Sequence, residues 1–242
     1  MSAMVRVCWS PPCAQASTVP WLDVVEGERF GGLRRVEDRR RFLTSRILLK
    51  TLVGQLSDTS PALVRLSYHC PRCGRPHGRP IVVEPRAAAR WHVSLSHADR
   101  QVMVAATEAG PVGVDVEQVA ATSFEGFDDV ALSSAERRVV EGCAPGDRAR
   151  ARTVYWARKE AVLKATGRGL AVDPCALEVS APHLPAVLTA WRADDPPNAP
   201  VQLTDVLVDD DHVAAVAVLA HAPCPVVLQP LSGSSCGQIR QG

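Results

Sequence analysis

Apolar and polar positions alternate along this chain with two distinct periods. Residues 36–56, "VEDRRRFLTSRILLKTLVGQL", space Leu43, Ile47, Leu48, Leu52 and Leu56 as one face of a helix, with arginines elsewhere around the wheel. "WHVSLSHADRQVMVAAT" (91–107) alternates on both sides of His97 and Ala98, which predicts two strands joined by a tight turn at 98–100. "PVGVDVEQV" (111–119) predicts a further strand, with Val112, Val114 and Val116 on one face and Gly113, Asp115 and Glu117 on the other. Ser133 and Glu136 in "LSSAERRVVEG" form a capping-box signal for a short helix. The longest helix is expected over about 148–166, closed by Gly167. Short strand-like runs follow: "CALEVS", "AVLTAWRA", "VQLTDVLVD" and "HVAAVAVLA". Helices and strands mixed in this order predict an α+β fold. The tail, 230–242, "PLSGSSCGQIRQG", is expected to be disordered.

Composition narrows the class. The chain has 242 residues, 46% hydrophobic, with a formal charge of +1, enough to bury a sizeable core. No run approaches the roughly 18 apolar residues of a membrane helix. The N-terminus lacks a signal-like pattern, so the expectation is a cytoplasmic protein with no membrane partner. Near-neutral charge argues against a nucleic-acid binder. The eight scattered cysteines are expected to be mainly reduced thiols. Cys70, Cys73 and His77 make a C-x-x-C with a nearby histidine, but no second pair stands at zinc-site spacing, so zinc is not expected.

Charge is unevenly spread. From Arg29 to Lys50 eight basic residues face two acids, Glu37 and Asp38. Only three lysines occur, Lys50, Lys159 and Lys164. In an arginine-rich chain, a retained lysine fits a need for a compact ammonium, as phosphate chemistry often has.

Two stretches carry candidate chemistry. Residues two apart on a strand share a face about 6.6 Å apart, so Asp115 and Glu117 can converge on one hard cation. A solvated face is the alternative for these two acids taken alone. In "VYWARKEAVLKATGRGL" (154–170), Trp156, Glu160 and Lys164 recur every fourth position on one helix face. An exposed ion pair beside a core tryptophan is the alternative there. Tyr155 and Trp191 read as core residues.

Together, "GVDVEQV" and "WARKEAVLKATGRGL" resemble the paired signature of the Sfp-type 4'-phosphopantetheinyl transferase superfamily, (V/I)G(V/I)D(V/I)E and (F/W)xxKExxxKxxGxG(L/I). "GRPIV" (78–82) and "VSLSHADR" (93–100) resemble that family's upstream motifs, in the same order. The likeness extends from about residue 26 to 219. It implies two similar α/β halves related by a pseudo-twofold axis, with the active site in the cleft between them, here 1–110 and 111–229.

The resemblance also implies an activity. The 4'-phosphopantetheine arm of coenzyme A moves to a serine of an apo acyl or peptidyl carrier protein, and adenosine 3',5'-bisphosphate leaves. Asp115, Glu117 and Glu160 match the family's Mg²⁺ ligands. Glu160 and Lys164 match catalytic positions, with Glu160 acting as base directly or through a metal-bound water. Ser96, His97, Arg79, Lys159 and Lys164 match positions that contact coenzyme A or support the site. For the 3'-phosphate the candidates are Arg29, Arg34, Arg35 and Arg41. The carrier is expected to dock along 124–140, near Arg137 and Arg138, and to belong to polyketide or nonribosomal-peptide synthases. A monomer is expected. A non-catalytic nucleotide- or partner-binding protein of the same fold is the competing reading.

Overall fold

The computed structural model describes residues 3–13, 21–69, 73–75 and 78–229. The CxxC partner positions Cys70 and His77 and the tail 230–242 lie outside the described residues. In chain order the elements are β1 (Val5–Ser10), α1 (Val24–Gly32), α2 (Val36–Leu56), β2 (Arg65–Ser67), β3 (Ile81–Glu84), β4 (His92–Ala98), β5 (Gln101–Thr107), β6 (Val112–Gln118), α3 (Phe127–Ala131), α4 (Ser134–Gly142), α5 (Arg148–Thr166), β7 (Leu177–Val179), β8 (Leu188–Trp191), β9 (Val201–Asp209), β10 (His212–Leu219) and β11 (Val226–Leu228). The fold is α+β, as the pattern of periods requires. Its contacts divide it into two compact units, one built on 5–108 and the other on 109–226, with residues 227–229 rejoining the first.

In the first unit six strands run in the order β11-β1-β5-β4-β3-β2. β4 and β5 form the expected hairpin, with Ala98 opposite Gln101 and the turn made by Asp99, at φ 42°, and Arg100. α2 lies on this sheet, burying Leu48, Leu49, Leu52 and Val53 against Val82, Val93, Val102 and Val104.

The wheel of α2 predicts one apolar face, yet every residue from Phe42 to Gly54 is buried, including Arg46 and Lys50. The cause is Glu26. This residue closes the capping box of α1 with Asp23 and is itself buried. Its carboxylate accepts Lys50 Nζ at 2.7 Å and Tyr68 Oη at 3.1 Å, and lies 3.1 Å from Arg46 Nε. The Arg46 guanidinium stacks on Phe42 and Tyr68, 4.3 and 4.7 Å from the ring centroids. Burying two cations demands such partners. Lys50 is thus a core residue, away from phosphate chemistry.

In the second unit β6-β10-β9 form an antiparallel sheet, and β7 and β8 a separate pair. α5 packs on β6 and β10 through Ala157, Ala161, Val162 and Ala165 against Ala215 and Ala217. The capping box forms: Ser133 Oγ accepts from the Glu136 N–H at 3.3 Å, and Glu136 Oε2 accepts from the Ser133 N–H at 2.8 Å. Gly167 closes α5 with φ 71°, a left-handed turn that glycine adopts without steric cost. Arg158 is fully buried and bidentate to Asp205 at 2.9 and 2.6 Å, and it also donates to the carbonyls of Ser180, Ala181 and Leu184. That one side chain ties α5, β9 and the 180–184 turn together.

Candidate active site

Gly113 sets the geometry of the site. A Cβ built there would stand 2.0 Å from Ala161 O and 2.5 Å from Ala165 N, so β6 and α5 meet backbone to backbone. Only glycine permits that approach. The strand side chains two and four residues further on therefore face the same helix. At that rung Lys164 Nζ donates to Asp115 Oδ1 at 2.6 Å and to Val114 O at 3.2 Å. Beyond it, Trp156 Nε1 donates to Glu117 Oε1 at 3.2 Å. Between these two contacts the strand advances two residues, about 6.6 Å, and the helix eight, about 12 Å, so the long Lys164, Glu117 and Trp156 side chains span the difference. The acids of β6 thus face a helix, and the solvated-face alternative is excluded for Asp115, which is 2% exposed.

Three carboxylates here answer to one ammonium. Burial pushes the Glu117 carboxyl up to about 7, with Asp115 adding to the rise while Lys164 and the Trp156 hydrogen bond oppose it. Glu160 is likewise raised, by burial first and then by Asp115, against Lys164. Glu160 Oε1 is buried with no hydrogen-bond partner. An acceptor stripped of water and left unmatched calls for a cation or a donor. Among the described residues, no three histidine, cysteine or acidic side chains form a ready-made metal cage. A cation placed at this cluster would take part of its coordination from outside the chain.

The structure also places the remaining residues singled out in the sequence. Ser96 and His97 are neighbours on β4, so their side chains point to opposite faces: Ser96 is buried, His97 exposed. Arg41 reaches the adjoining hairpin turn, donating to Asp99 O at 3.2 Å and pairing with Asp38 at 2.6 Å. Arg79 is exposed and close enough to His92 to help burial hold that imidazole below its ordinary range. These four belong to the first unit, and the acid cluster to the second.

Lys159 requires a correction. Expected at the substrate, it is fully buried, and its ammonium donates to Glu136 Oε2 at 2.5 Å, Ala131 O at 2.8 Å and Pro174 O at 2.9 Å. Those three acceptors use all three N–H bonds. Lys159 follows Arg158 and precedes Glu160, and a step of one residue turns a side chain about 100° around the helix, away from the acid cluster. Sequence reasoning also missed the parts played by Gly113 and by the indole N–H of Trp156. The four-residue spacing of Trp156, Glu160 and Lys164 was the available signal for the latter.

Comparison with known proteins meets this geometry. A family model described as the 4'-phosphopantetheinyl transferase superfamily matches residues 111–217, the span that holds the acid cluster. A phosphopantetheinyl transferase of Thraustochytrium sp. is 30% identical over 231 residues, covering 88% of this chain and 76% of that protein. The chain belongs to the 4'-phosphopantetheinyl transferase superfamily. Two further members are similar. The 4'-phosphopantetheinyl transferase HetI of Nostoc sp. is 28% identical over 186 residues, 75% of this chain and 72% of its own. A putative 4'-phosphopantetheinyl transferase of Synechocystis sp. is 26% identical over 149 residues, 61% of this chain and 56% of its own. As a member of this superfamily, the chain modifies carrier proteins with the phosphopantetheine arm of coenzyme A.

Proposed function

We propose that Asp115, Glu117 and Glu160 hold one Mg²⁺ against the diphosphate of coenzyme A while Lys164 steadies the same phosphates, and that the acceptors are carrier proteins of polyketide or nonribosomal-peptide synthases. The observation that supports this reading is the contact of Lys164 with Asp115, with Glu117 and Glu160 within electrostatic reach of both and a buried Glu160 oxygen left unmatched. Such a cluster is unfavourable by itself and is relieved by a divalent ion. When bound, the ion neutralises charge on the diphosphate.

The chain's own side chains account for the rest. Lys164 is a compact charge on a flexible stem, partly exposed and held by Asp115. Shared between Asp115 and a diphosphate, it stabilises negative charge as the bond to the adenosine 3',5'-bisphosphate leaving group breaks. The carrier serine must lose its proton as it attacks the β-phosphate. Glu160 takes that proton, directly or across a water; as a metal ligand it would be a weak base, which favours the water route. In the first unit, Arg41 and Arg79 supply cations for the nucleotide phosphates, with Ser96 or His97 adding a contact from whichever face of β4 the ligand occupies.

The division of labour into an N-terminal half for nucleotide contacts and a C-terminal half for the metal, a monomeric state and a cytoplasmic location belong to the same proposal. Among the described residues no helix is long and apolar enough to cross a membrane.

One assay tests the reaction. The protein is mixed with coenzyme A, Mg²⁺ and an apo carrier, and the carrier is weighed intact. A gain of one phosphopantetheine group that vanishes with EDTA is expected. A carrier of unchanged mass supports a non-catalytic binder instead, and transfer that persists in EDTA removes the metal from the proposal.

A further inference from the structure

Beside Glu117 three aromatic rings stand in sequence. Trp156 Nε1 donates to the Glu117 carboxylate at 3.2 Å. Phe127 meets the Trp156 ring edge to face, centroids 5.8 Å apart and planes at 73°. Phe124 meets Phe127 in the same way, at 5.4 Å and 87°. Phe124 is 58% exposed, Phe127 5% and Trp156 half-buried. The ladder thus runs from the surface to a carboxylate of the acid cluster.

α3, which carries Phe127, has only five residues, too few to hold its shape by helical hydrogen bonds alone. Two contacts from α5 fasten it. Arg152 donates through Nε and Nη2 to the two carboxylate oxygens of Asp128, at 2.6 and 2.7 Å, and Lys159 donates to Ala131 O at 2.8 Å. Trp156 lies on α5 between those two residues. One helix therefore fixes both partners of the Phe127–Trp156 contact. Edge-to-face packing has a preferred orientation, which aliphatic filling lacks. The indole has one N–H, pointing one way, so the pose of the ring decides where the Glu117 oxygen is held. A glutamate side chain turns about several torsions and needs such a restraint to keep one rotamer.

We infer that Phe127 is a positioning residue: acting through the Trp156 indole, it holds Glu117 in the rotamer that binds the metal. This rests on Glu117 being a Mg²⁺ ligand, as proposed above. A group that orients a ligand in this way typically changes metal affinity when lost, whereas a residue that only fills the core does not.

The experiment compares Phe127→Leu, Glu117→Gln and the double variant in the full chain. Equilibrium Mg²⁺ binding to the protein–coenzyme A complex is measured by calorimetry without carrier, with thermal melting as the check on folding. Phe127→Leu is expected to weaken Mg²⁺ about tenfold, to leave coenzyme A binding within about twofold, and to add nothing in the Glu117→Gln background. Unchanged Mg²⁺ affinity in Phe127→Leu overturns the inference, as does a loss of the same size when Glu117 is already glutamine. If Glu117→Gln alone leaves Mg²⁺ affinity intact, the metal reading itself fails, and that outcome is distinguishable from the first. Should Phe127→Leu not fold, Phe127→Met, closer in volume and equally without a ring, takes its place and the same results apply.

Discussion

Lys164 Nζ stands 2.6 Å from Asp115 Oδ1 across the seam between β6 and α5, and its charge opposes the raised proton affinity of Glu117 and Glu160. Removing it tests the proposed role. Lys164→Ala is expected to lower kcat by about 10²–10³, the usual cost of losing one preorganised charge at a reacting phosphate or oxyanion. Steady-state transfer to an apo carrier measures this. Retention of more than a third of wild-type kcat would show that Lys164 is only an ion-pair partner.

The raised carboxyls predict a pH dependence of opposite sign to the common one. Glu117 titrates near 7 in the fold and within the ordinary carboxylate range when unfolded. Between those values the folded state holds more protons, so stability falls as pH rises through that window. Urea midpoints of the metal-free protein should drop from pH 5 to pH 8. Adding Mg²⁺ and coenzyme A should flatten the slope, because the ion favours the charged acids. A metal-free midpoint that rises with pH contradicts this picture of the cluster.

Lys159 separates structure from substrate. With Lys159 and Glu136 both buried, Lys159→Met leaves the acid uncompensated, a loss of about 3–5 kcal/mol. The KM for coenzyme A of whatever protein remains folded should stay near wild type. Chemical denaturation and initial rates at low temperature measure the two effects, and a raised KM without loss of stability would return Lys159 to the substrate.

The carrier-docking expectation is open to charge reversal. Arg138 is exposed, and Arg137 is bound to Asp129 and Leu132 O, both on the face of α4 expected to meet an acidic carrier. Changing both to glutamate should raise the carrier KM at least about tenfold, and more steeply at low salt, with kcat nearly unchanged. An unaltered KM removes this surface from the carrier's path.

Much of the fold is legible in the sequence because local rules and tertiary packing agree there. The β4–β5 hairpin, the strand at 112–118, the Ser133–Glu136 capping box and the Gly167 stop all follow from short-range spacing. The misreadings sit where distant residues intervene. α2 reads as one-sided because the partner of its polar face, Glu26, lies in a segment with little periodicity of its own. Lys159 reads as a site residue because it matches a lysine of the family's motif, though the helix turns it away from Glu160. The acids of β6 were visible as a pair, but their burial against α5 depends on Gly113, whose importance shows only when the opposing backbone is in place.

That bare position has a consequence for change over time. With no side chain to cushion the seam, the strand and the helix move as one piece, and a displacement of either is a displacement of every acid between them. Adaptation to new acceptors can therefore reshape the exposed rim around Phe124 and α4 freely, while the seam itself admits almost no drift.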